Sequence, residues 1–155
     1  MEYLNLFIAA SLGILGYALI IKSSVRSWLP TLVLGLIGTA VYVVADNAGS
    51  SSFVSNLLAA LILSLGARIC ARVFKAPNSV FLFPAVIVLV PGSYLYFTMS
   101  HLLAGEYALG WENAMETIKI SAGIADGLIC GVIIVSTIEA ASKALQKKRN
   151  SNRNI

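Results

Sequence analysis

The chain has 155 residues, 58% of them hydrophobic and only 12% charged, with a net charge of +4 at neutral pH. A water-soluble domain of this size needs more polar surface than that composition supplies. The basic residues flank apolar runs and do not gather on a polar face, so the positive balance is no sign of a nucleic-acid surface.

Five stretches, residues 3–21, 29–45, 53–71, 79–103 and 117–138, are almost free of charge. Each is long enough as a helix to cross a hydrocarbon core of about 30 Å. The expectation is an all-α integral membrane protein with five transmembrane helices in residues 1–142 and a basic cytoplasmic tail in 143–155. The first stretch follows Met1-Glu2 with no basic leader and no small-residue cleavage site, so a retained helix is expected. It ends at Lys22 and Arg26. The second begins near Pro30, where a first helical turn tolerates proline. It ends at Asp46 and Asn47, read as helix termination before the turn-rich 48–52. The third ends in Arg68, Arg72 and Lys75. Arg68 and Arg72 lie one turn apart and are read as snorkelling to the surface, with a gate as the minority role.

The fourth stretch has Asn78 or Ser79 as a cap, then Pro84, then Pro91-Gly92 in mid-span. Proline removes a backbone donor and clashes with the preceding turn, and glycine lets a chain unwind, so an interruption is expected here. Backbone groups freed in hydrocarbon must find partners or line a wet cavity. The downstream half-helix would offer amides near Ser93 and Tyr94 to an anionic group. Ser93, Tyr96, Thr98 and His101 follow the break, and His101 reads as an interfacial residue. An acidic loop through Glu106, Glu112 and Glu116 comes next, with Tyr107 and Trp111 as interfacial anchors.

The fifth stretch carries Gly123, Gly127 and Gly131 at four-residue intervals, a groove where another helix backbone can approach closely. Asp126 sits near its middle. An ionised carboxylate there costs about 2.5–3.5 kcal/mol on insertion scales, which makes it a candidate for coupling transport to protonation. Lys119, two turns earlier, is its possible partner. The tail then holds Lys143, Lys147, Lys148, Arg149 and Arg153. Counted over five crossings, the basic clusters fall on one side and the acidic ones on the other. The positive-inside rule then puts the N-terminus outside and the C-terminus in the cytoplasm. Cys70 and Cys130 lie in apolar runs and read as small buried hydrophobes. No nucleophile–base pair and no metal-ligand spacing appears, so neither an enzyme nor a cofactor or metal is expected.

The segment from Val80 to Tyr96, an apolar run reaching Pro91-Gly92 and then Tyr96, resembles the pattern of the threonine/serine exporters. The small-residue second stretch and the glycine-rich last one are similar in order and spacing. The resemblance implies the small second half of a split exporter in the bacterial plasma membrane. Its partner would be a larger five-span subunit with a polar N-terminal domain, in opposite orientation. It implies secondary-active export of threonine, serine or related small carboxylates, driven by the proton gradient or the membrane potential. Pro91, Gly92 and Tyr96 are the positions it carries over as substrate-binding, with Ser93 beside them. A homo-oligomer is a further possibility. The alternative is a non-transporting assembly subunit, in which the glycine groove serves docking and Asp126 is merely paired.

Overall fold

The computed structural model describes residues 2–22 and 24–151, and these are all-helical apart from short connections. Six helices follow one another: α1 (Glu2–Ile20), α2 (Val25–Asn47), α3 (Ser52–Phe74), α4 (Asn78–Val86), α5 (Gly92–Leu103) and α6 (Tyr107–Ser151). A 3-10 turn, Ile87–Leu89, follows α4. Three helices are long and apolar enough to cross a membrane: α2, α3 and the Tyr107–Ala141 part of α6. The α4 and α5 arms pass that test as a pair, bent by 46°, while the Leu4–Ile20 part of α1 is shorter.

α3 is the centre of the bundle, with α6 on one side and α2 and α4 on the other. α1 lies over α2 and α4, and α5 leans on α6. The core between α2, α3 and α4 is built from Leu34, Ala59, Ala60, Leu63, Ala67, Phe81, Ala85 and Leu89. Helices in lipid gain little from burying leucine, because lipid tails are equally apolar; they associate by close packing of small residues. The α2–α3 contact follows that rule reciprocally. Leu63 fills the space over Gly38, and Leu34 fills the space over Gly66. Buried hydroxyls on α2 are satisfied within the helix: Thr31 donates to the Ser27 carbonyl at 2.7 Å and Thr39 to that of Gly35 at 3.0 Å.

The tightest approach is between α3 and α6. A Cβ added at Gly123 or Gly127 would collide with the carbonyl oxygens of Phe53 or Leu57, and one at Gly131 with Ser64. The three glycines are buried along one stripe, and α3 fills it.

Three local readings change. α2 starts at Val25, so Pro30 lies inside the helix instead of in its first turn. The hydroxyl-rich start, with Ser27 donating to the Ser24 carbonyl at 2.6 Å, holds the helix N-terminal to the proline. Asn78 does not cap α4; Pro77 holds that position and Asn78 is the first helical residue. The acidic stretch after Gly105 is no loop. Gly105, at φ +81°, makes the turn, and α6 already contains Glu112 and Glu116. No proline follows to stop it, and Glu, Ala and Met favour helix. Of the basic tail, Arg153 lies outside the described residues, as do the side chains of Lys143, Lys147, Lys148 and Arg149.

Gly127→Leu is expected to destabilise the protein in detergent by about 1–3 kcal/mol, the scale of overpacking. Gly13→Ala on α1, with open space around the added methyl, is expected to stay within about 1 kcal/mol of the parent. Thermal unfolding followed by circular dichroism measures both. A Gly127→Leu protein as stable as the parent would mean that α6 does not pack through this stripe.

Candidate functional site

The backbone between α4 and α5 departs from the α-helix earlier than Pro91 itself. Proline lacks the N–H that would bond the carbonyl four residues back, Ile87, and its ring crowds that carbonyl. The chain tightens to a 3-10 turn from Ile87, and Val90 N–H donates to Ile87 O at 3.3 Å. Pro91 then takes φ −76° and ψ 57°, and Gly92 N–H donates to Val90 O at 2.8 Å. That geometry is an inverse γ-turn centred on the proline. α5 restarts at once, with Leu95 N–H donating to Pro91 O at 3.1 Å. The amides of Ser93 and Tyr94 have no backbone acceptor among the described residues. Gly92 is not in the left-handed region and would have open space around a Cβ. The bend therefore belongs to Pro91, and glycine's special freedom is not used.

Pro91 is buried, whereas Gly92, Ser93, Tyr94 and Tyr96 are exposed, and α5 contains no buried residue. Thr98 donates to its own helix at Tyr94 O, 2.7 Å. His101 pairs with Glu106 at 2.6 Å across the turn into α6.

Asp126 is exposed on α6. At 3.6 residues per turn it lies about 160° around the helix from Gly110, the position over which Leu102 of α5 packs. It is also about 28 Å along α6 from Tyr107, whereas α5 is only about 18 Å long. The single chain thus does not bring Asp126 and the break together. Lys119 pairs with Glu116, one turn away, at 2.6 Å instead of with Asp126. None of the described cavities is lined by Pro91, Gly92, Ser93, Tyr96, Lys119 or Asp126.

A second polar constellation sits at the other end of the bundle. The end of α1, the start of α2, the end of α3 and the start of α4 meet there around Lys22, Arg26, Phe74 and Pro77. Close by, Arg68 grips Glu139 of α6 through Nε at 3.1 Å and Nη2 at 2.9 Å. Arg72 donates to the same oxygen, Oε1. Neither arginine simply snorkels; both tie α3 to α6. A cavity of about 100 Å³ adjoins the clamp, lined by Ser64, Arg68, Asn78, Gly131 and Ser136 among others. Sequence reading missed Glu139, Ser64 and Asn78 as a group. The available signal was Glu139 itself, an acid just beyond the apolar run of 117–138, in the basic end of the chain.

Residues 6–138 match a family model described as threonine/serine exporter, ThrE. No curated protein and no solved structure matches the chain.

Spin labels at Val80→Cys and Leu102→Cys, with Cys70 and Cys130 replaced by alanine, report the bend between α4 and α5. Pro91→Ala is expected to lengthen the distance by a few ångströms as the arms straighten, and Gly92→Ala to leave it unchanged. An unchanged distance in Pro91→Ala would assign the bend to packing and not to the proline.

Proposed function

The chain belongs to the threonine/serine exporter family, a multi-pass membrane transporter type, and from that premise we propose that it is the small subunit of a split exporter. In this reading α1 is a first crossing and the α4–α5 pair a broken fourth, which makes five. The N-terminus is outside, the C-terminus cytoplasmic, and the membrane the bacterial plasma membrane. The substrate is threonine, serine or a related small carboxylate, moved by a secondary-active mechanism without enzymatic chemistry.

The observation that carries the reading is that the polar features of the transport path lie on open surface. α5 buries no residue, and Asp126 is exposed on α6. An ionised carboxylate facing lipid near mid-membrane is costly, and such groups ordinarily face a bundle interior or a wet cavity. A larger subunit laid against α5 and α6 covers both features and completes a path past the amides of Ser93 and Tyr94. Two odd-numbered halves of opposite orientation also suit alternating access, in which one half rocks against the other around a central site. Asp126 then takes up and releases the coupling proton, and Tyr96 lines the path.

The assembly-subunit alternative loses its main support. The glycine stripe that invited docking is already filled by α3 of the same chain.

Cells loaded with labelled serine, threonine or succinate are expected to show little efflux with this chain alone. Co-expression of a larger five-span protein with a polar N-terminal domain is expected to restore it. Asp126→Asn is expected to leave the complex intact and to make efflux insensitive to collapse of the proton gradient. Full efflux from the isolated chain would remove the partner. Unchanged proton dependence in Asp126→Asn would remove the coupling role.

A further inference from the structure

We propose that the basic end of the bundle binds one anionic glycerophospholipid. Its phosphate lies in the pocket of Lys22 and Arg26, and one acyl chain lies in the apolar groove between α2 and α3. The site is independent of what the chain transports and requires only its place in a membrane. It is separate from the clamp of Arg68, Arg72 and Glu139, which joins α3 to α6.

The pocket decides the head group. The end of α1, the start of α2, the end of α3 and the start of α4 surround a space of about 530 Å³. Lys22, Ser24 and Arg26 line it, and all three are exposed, so a ligand can reach them. Neither Lys22 nor Arg26 forms an ion pair among the described residues, and no acidic residue lines the pocket. The Ser24 side chain does not cap α2, which leaves its hydroxyl as a further donor. Two cations and a hydroxyl with no carboxylate among them suit a phosphodiester, and basic pockets between membrane helices take anionic head groups. The ammonium of a zwitterionic lipid would meet only like charge there.

The groove decides that the anion is a lipid and not a free ion. Arg26 and Phe74 line the groove as well as the pocket, so the two adjoin. From there the groove follows Leu29, Val33 and Ile37 along one face of α2, and Ile69 and Gly66 along α3. From Arg26 to Ile37 the helix rises about 16 Å, roughly half of a 30 Å hydrocarbon core. The groove therefore runs from the basic end to mid-membrane, the depth of one leaflet. Its volume is about 470 Å³. Spread over that length, this is a cross-section of roughly 30 Å², whereas a helix is about 10 Å across. A hydrocarbon chain fits, and a partner helix does not. Leu29, Val33, Ile37 and Ile69 are exposed, so the chain is covered by apolar walls along its course. Lipid tails are as apolar as these walls, so the groove brings no head-group preference of its own. The pocket selects, and the groove places the phosphate at its mouth.

Lipid titration of the full chain in a neutral detergent, read by native mass spectrometry, tests this. The parent is expected to bind one phosphatidylglycerol about twentyfold more tightly than phosphatidylcholine with the same acyl chains, about fivefold from each basic residue. Arg26→Gln and Lys22→Gln are each expected to cut that preference to about fivefold, and the double variant to about twofold or less. Arg72→Gln removes the same charge near the same end of the bundle but lines neither the pocket nor the groove. It is expected to leave the preference within about twofold of the parent's. Val33→Phe fills the groove and is expected to weaken phosphatidylglycerol binding several-fold. Glycerophosphoglycerol, the same head group without acyl chains, is expected to compete only at about a hundredfold higher concentration or more.

The site is overturned by equal binding of phosphatidylglycerol and phosphatidylcholine in the parent. Equal losses of preference in Arg26→Gln and Arg72→Gln overturn it too, since net charge alone would then account for the preference. Competition by glycerophosphoglycerol at the concentration of the lipid would assign the pocket to a free phosphate, and unchanged affinity in Val33→Phe would remove the acyl chain from the groove; either result overturns the proposal. A second copy seated in the groove would appear as a dimer that takes up no phosphatidylglycerol, with the same consequence. Should the double variant lose its helical circular dichroism, the two single variants decide. None of these measurements requires efflux, so failure of the exporter reading leaves the lipid site standing.

Discussion

The bundle depends on the contact between α3 and α6 along Gly123, Gly127 and Gly131, where a helix face without side chains lies on the carbonyls of Phe53 and Leu57. In hydrocarbon, burying leucine brings no advantage over leaving it among lipid tails, so close backbone approach and its dispersion and weak Cα–H···O contacts must hold helices together. Fixing α6 on α3 in this register has two consequences. It sets Ser64 against α6 and Arg68 within reach of Glu139. It also turns Asp126 away, onto the open side of the helix.

The α4–α5 pair contrasts with that rigid centre. α4 is locked into the core by Phe81 and Ala85, both fully buried, whereas α5 buries nothing beyond the turn at Pro91. Elements with few buried contacts open at low free energy, and moving parts are drawn from them. The proline turn joins an arm set in the core to one that lies on α6.

The basic end has a different physical character. Arg68 and Arg72 converge on Glu139, joining α3 to α6 by an ion pair where the seam by packing runs out. Exposed pairs of this kind contribute little to stability.

Much of this was legible in the chain itself. The all-helical class followed from long runs without charge, the turn near Pro91 from the chemistry of proline, and the packing stripe from glycines at every fourth position. All are local properties, set by backbone sterics and the low polarity of a segment. The start of α2 was misplaced because hydroxyl side chains extended the helix past Pro30, and the acidic loop because hydropathy cannot distinguish a polar helix from a coil. Which residues meet was not legible. The pairing of Arg68 with Glu139 and the outward turn of Asp126 depend on positions far apart along the chain. They follow from the relative rotation and register of packed helices, and only the tertiary structure decides those, because every rotation of an apolar helix is nearly equivalent in energy until a neighbouring backbone selects one.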